Sequence, residues 1–203
     1  MENIYFHVNK KPRFPTIRIP DFRFMKEGEL IEVGEEYNQF FHRIRGLKGF
    51  EYLDENSSPS VFPIEKFKKL LKSGEFVNLL TCQEIIDRVF GHFQWVIHEY
   101  VLEVIRINEF QDKPSRFKCL WLCSEGDTEM WKEECAEGYE SNIIKVQAEG
   151  KIFKADASLL EIEDKPIKEL VDNMRLYWEG AQTSSGRKEE ILFEGKIKVL
   201  KIL

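Results

Sequence analysis

Between residues 81 and 108, apolar side chains recur at intervals of three and four: Ile86, Val89, Phe90, Phe93, Val96, Ile97, Tyr100, Val101, Val104 and Ile105. This period predicts a long amphipathic helix with a continuous buried stripe, the spine of the molecule. Elsewhere the period shortens. Ile4-Tyr5-Phe6-His7-Val8 has the β-branched and aromatic content of a strand and stops at Asn9-Lys10-Lys11-Pro12. Pro12, Pro15 and Pro20 then mark residues 10–24 as loop, and residues 29–34 read as a second short strand.

Residues 35–62 mix aromatics such as Phe40, Phe41 and Tyr52 with an exposed loop at 56–60, without a clear period. Pro63 opens a short helix over 63–71, with Gly74 after its end. Residues 117–123 read as an apolar strand that breaks at Ser124-Glu125-Gly126 and restarts as a helix over 127–135, capped by Asp127. A helix start of that kind offers free N–H groups to an anion. Residues 142–146 and 151–154 read as strands paired across Glu149-Gly150, and a helix follows over 165–178. The last strand, 190–203, is apolar at both parities and so is expected to be covered on both faces.

These elements predict an α+β fold in one domain, residues 1–203, with a split or curved, mostly antiparallel sheet and one long packed helix. The 203 residues are 42% hydrophobic, enough for a sizeable core. A net charge of −6 argues against bulk nucleic-acid binding. The chain shows no secretory pattern and no run of about 18 apolar residues, so the expectation is a soluble cytoplasmic protein with no membrane partner. Cys82, Cys119, Cys123 and Cys135 form no CxxC pair and are expected to be reduced thiols. His92 and His98 lie about 240° apart around a helix and cannot share a metal, and no glycine-rich phosphate loop occurs, so no metal site is expected.

His7 on an early strand, Trp121 on a middle strand and Glu190 at the head of a late strand stand in an order that resembles the His-Tyr-Glu branch of the ADP-ribosyltransferase-like fold. The resemblance implies an NAD cleft. His7 would contact the adenine-side ribose, Trp121 would stack on nicotinamide, and Glu190 would be the catalytic group on the nicotinamide ribose. A fixed carboxylate suits that step because positive charge develops on the sugar as the glycosidic bond opens. Trp121 stands where the branch has Tyr, and Val8 follows the His where a small residue is common. Arg116, just before the middle strand, could clamp a pyrophosphate or pair with Glu103 or Glu109.

Each of these residues also has a structural reading: His7 as a satisfied strand histidine, Trp121 as core, Glu190 as a solvent-facing charge. Longer strings, Glu99-Tyr100-Val101-Leu102-Glu103-Val104-Ile105-Arg106, Pro114-Ser115-Arg116 and Tyr177-Trp178-Glu179-Gly180, resemble a domain-of-unknown-function family of bacilli and their relatives, and that resemblance implies a homodimer. Two functions follow. One is an NAD-binding cleft that transfers ADP-ribose or hydrolyses NAD; the other is a non-catalytic homodimeric module with an aromatic interface around Tyr37, Phe40, Phe41 and Phe50.

Overall fold

The computed structural model describes residues 3–10, 24–44, 49–53, 59–73, 79–136, 140–162, 165–183 and 188–203. The elements run β1 (Ile4–Lys10), β2 (Leu30–Val33), α1 (Gln39–Ile44), β3 (Gly49–Leu53), β4 (Pro59–Pro63), α2 (Ile64–Ser73) and α3 (Leu79–Glu109). Then come β5 (Leu120–Leu122), α4 (Thr128–Ala136), β6 (Ser141–Asp156), α5 (Ile167–Glu179) and β7 (Glu189–Ile202). The α+β class holds, and all strand pairings among the described residues are antiparallel. No described helix is long and apolar enough to cross a membrane. Most of the proline-rich loop, three residues of the 56–60 loop and the 184–187 loop lie outside the described residues.

The chain clusters into two compact units, one comprising Met1–Pro12, Asp21–Asn38 and Val101–Leu203, the other Arg13–Pro20 and Gln39–Tyr100. In the first unit the sheet order is β1-β6-β7-β2, with β5 also on β7. β6 and β7 are long partners that carry different neighbours along their length: β1 pairs with the first half of β6, and β5 with the start of β7. The sheet curls far enough for β1 to meet β5 at Phe6 and Cys123, whose backbones exchange hydrogen bonds of 3.0 and 2.8 Å.

Residues 142–154 are not two strands joined by a turn. β6 runs unbroken through Glu149-Gly150, because β7 pairs with it on both sides of that point. Gly150 faces Gly195 in the register, both at positive φ, and a Cβ on either would collide with the facing backbone. The two glycines let the long strands pass at a separation no side chain would permit.

Strand alternation gives the sheet two apolar faces. Leu122, Ile144, Val146, Ala148, Ile191, Phe193, Ile197 and Val199 form the enclosed core of the curled sheet. Phe153, Ala155 and Leu192 point the other way, onto Met174, Tyr177 and Trp178 of α5 and onto Leu102 and Ile105 at the end of α3. α5 presents its buried residues at the spacing of one helical face and stops at Gly180, whose φ of 78° is left-handed. The Trp178 ring stacks on Phe153 at 5.5 Å, and its Nε1 donates to the Leu102 carbonyl at 3.0 Å. β7 is buried on both faces only over Glu189–Phe193, and from Lys196 it alternates.

In the second unit β3 and β4 form a hairpin and α2 follows directly on Pro63. Sequence periodicity did not reveal this hairpin, since residues 35–62 alternate poorly. Phe40 packs edge-on against Trp95 at 5.1 Å, and Phe41 is buried with its ring tilted toward Tyr100. Phe41 is therefore a packing residue rather than part of the exposed interface expected of it, while Phe40 is half-buried and Tyr37 exposed.

α3 forms as predicted, but its stripe is only partly buried: Ile105 enters the core and Val89, Val96 and Val101 are half-buried. Ile86, Phe90, Phe93, Ile97, Tyr100 and Val104 of the stripe are exposed, as is Ile107, and Leu102, outside the stripe, enters the core beside Ile105. Helical periodicity marks apolar faces without saying which of them a neighbour covers.

Candidate functional site

Glu190 and Leu192 share the face of β7 that meets α5, and Trp121 of β5, opposite Leu192 in the register, points the same way. On that otherwise apolar face the Glu190 carboxylate is 5% exposed and needs partners. Arg116 supplies one, its guanidinium donating to Glu190 Oε1. Tyr177 supplies the other: its hydroxyl donates to the same oxygen and accepts from Arg116 at 2.8 Å. The guanidinium lies 5.5 Å from the ring centres of both Trp121 and Tyr177. Burial pushes the Tyr177 hydroxyl well above its usual range; the Arg116 charge opposes this and the Glu190 charge adds to it, so the phenol remains a donor.

Arg116 reaches this position because the turn that carries it is pinned from several sides. The Ser115 N–H donates to Glu194 Oε1 at 2.7 Å, and its hydroxyl donates to Glu103 at 2.8 Å. The Asn38 side chain donates to the carbonyls of Arg116 and Cys119 at 2.8 and 2.9 Å. The pairing of Arg116 with Glu103 or Glu109 does not form. Glu103 is taken by Arg106 at 2.9 Å and by Ser115, and Glu109 by Arg175 at 2.9 Å.

His7 stands apart from this group. It shares the parity of Tyr5, which packs on the enclosed core, so its ring lies on the opposite sheet face from the Trp121 ring. Its Nδ1 bonds the Trp121 carbonyl at 2.8 Å. The reason is the split between β1 and β5: they bridge at Phe6 and Cys123 and then diverge, and the His7 side chain takes the carbonyl beyond the bridge. Burial lowers the His7 pKa; the bond to Trp121 opposes that, and Lys10 adds to it.

The start of α4 does not offer the anion site its sequence suggested. Glu125, Asp127 and Glu129 crowd it, and Ser124 Oγ donates to Asp127 at 2.6 Å. Negative charge there stabilises the helix end and repels a phosphate. Among the described residues no three His, Cys, Asp or Glu side chains gather to hold a metal ion. Cys119, Cys123 and Cys135 are free thiols, and burial pushes Cys123 up to about 12 and raises the other two, so none is an activated nucleophile.

Sequence reading missed Tyr177 as a member of the cluster. Its signal was present: Tyr177 and Trp178 end an amphipathic helix, where a buried phenol needs a polar partner. A second polar knot was also missed. Asp156, 1% exposed, accepts from the N–H and hydroxyl of both Ser158 and Thr183 and from the Lys188 N–H. Burial alone would raise its pKa, but these donors hold it at about 2.

The fold and cluster define an α+β protein whose curled antiparallel sheet holds a buried Arg-Tyr-Glu group beneath a helix. Over residues 5–203 the chain matches the family described as "Protein of unknown function (DUF2441)", and it belongs to that family. No curated protein matches the chain.

Proposed function

We propose that this protein is a non-catalytic interaction module that works as a homodimer. The observation that carries this reading is the state of Glu190, the one carboxylate assigned to catalysis. It is buried, ion-paired with Arg116 and bonded by Tyr177. A carboxylate so engaged serves the fold, because freeing it to meet a sugar would break a buried ion pair and the Tyr177 hydrogen bond to the same oxygen. His7, on the other sheet face, bonds backbone in keeping with the same structural role.

The placement of Trp121, Arg116 and Glu190 on a single sheet face favours a second reading, an ADP-ribosyltransferase-like NAD cleft. There Trp121 would stack on nicotinamide, Arg116 would leave Glu190 for the pyrophosphate, and the freed carboxylate would stabilise the positive sugar during ADP-ribose transfer or hydrolysis.

Thermal unfolding with millimolar NAD separates the two. The module reading expects no shift in the wild type or in Trp121→Ala. Ligand at a hundred times its dissociation constant would add about 2.7 kcal/mol. A wild-type shift lost in Trp121→Ala, followed by NAD turnover lost in Glu190→Gln, would overturn the module reading in favour of the enzyme.

A further inference from the structure

Asn9 of β1 and Asn142 of β6 stand directly opposite each other in the register. Asn9 shares the parity of Tyr5 and His7, and Asn142 that of Ile144 and Val146, so both amides lie on the face of the enclosed core. Asn9 is 5% exposed and its Nδ2 has no hydrogen-bond partner; nor has the buried Oδ1 of Asn142. A donor and an acceptor therefore sit on facing residues, shut off from solvent and not bonded to each other.

A buried amide atom left without a partner costs about as much as a lost hydrogen bond, so folded proteins retain few of them. Two of opposite kind define what completes them. The donor disfavours a cation and the acceptor disfavours an anion, whereas a neutral group that accepts on one side and donates on the other suits both. Facing side chains of an antiparallel pair have Cβ atoms about 4.5–5.5 Å apart. A water molecule making two tetrahedral bonds of about 2.9 Å spans about 4.7 Å, a gap of that order.

The neighbouring residues on this face offer no substitute. His7 Nδ1 is 2.8 Å from the Trp121 carbonyl, which only accepts, so that nitrogen carries its proton toward Trp121 and not toward Asn142. Ile144 and Val146 are fully buried and apolar.

We propose that Asn9 and Asn142 form the binding site of an ordered water molecule, which accepts from Asn9 Nδ2 and donates to Asn142 Oδ1. Turning both amides over exchanges donor and acceptor and keeps the bridge. Its place in the sheet gives it a role. The β6–β7 register begins at Ile144 with Ile202, and the Leu203 N–H bonds the Ile143 carbonyl at 2.8 Å. Asn142 lies beyond that point, so the bridge clasps β1 to β6 where β7 no longer pairs with β6. The site is independent of both functional readings above.

The test is water–amide NOE spectroscopy of the full chain, with oxygen-17 relaxation dispersion to count long-lived waters. The expected result is a cross-peak between water and the Asn9 side-chain amide with the sign given by a long-lived water. It should persist in Ser141→Ala, which removes the hydroxyl of the adjoining residue as a relay. Its absence from the wild type, or its loss in Ser141→Ala, would overturn the site. Asn9→Leu combined with Asn142→Leu is expected to lose a single long-lived water, and an unchanged count would also overturn it. Urea midpoints give an independent reading. Each leucine alone leaves the other amide without its bridge and lowers the midpoint, while the double variant regains most of the loss. Losses that simply add would show that no bridge joins the two residues.

Discussion

Arg116 and Glu190 stand 74 residues apart in the chain and form an ion pair on the face of β7 that packs against α5. Removing either partner breaks a buried ion pair. Arg116→Met is expected to cost about 3–5 kcal/mol, and Arg116→Met with Glu190→Gln distinctly less than the sum of the two single changes. Urea unfolding of the four proteins measures this; additive losses would show that the two side chains act independently.

The His7 pKa lies below its ordinary value, and the sign of its linkage follows. Below about pH 6.5 an unfolded-chain histidine takes up a proton that the native one resists. The contribution of His7 is therefore present above that pH and is lost as the pH falls through the window below it. His7→Gln is expected to flatten the dependence of stability on pH between 7 and 5, as read from urea midpoints. An unchanged slope would place the titration elsewhere.

Asp156 has the corresponding behaviour at acid pH. Its native pKa of about 2 lies below the ordinary 3.8, so its contribution is present above roughly pH 4 and disappears as the pH falls toward 2. Asp156→Asn keeps the shape but replaces an acceptor oxygen with a donor facing the N–H groups of Ser158, Thr183 and Lys188. The expected loss is about 2 kcal/mol. Amide exchange should rise first at Ser158 and Thr183; continued protection there would count against the network.

Gly150 and Gly195 oppose each other at φ of 156° and 139°. An alanine at either brings a Cβ onto the facing backbone, so each substitution is expected to cost more than about 1 kcal/mol, where an unstrained Gly-to-Ala change would instead stabilise. Melting temperatures of the two variants check this, and wild-type values would mean the strands can part without cost.

Local pattern by itself determined β1, the α2 and α3 helices, α5 and the last strand, because side-chain period and glycine or proline punctuation act over a few residues. It also singled out His7, Arg116, Trp121 and Glu190 by type. Only the tertiary structure decided what those four do. Arg116 meets Glu190 rather than Glu103 or Glu109 because β7 and the Pro114-Ser115 turn arrive from distant parts of the chain. Tyr177 joins them because α5 lies over that sheet face. The continuity of β6 through Gly150, the divergence of β1 from β5 and the exposure of most of the α3 stripe were likewise settled by which surfaces meet. A chain's own period states which faces are apolar, and long-range packing selects the ones that are covered.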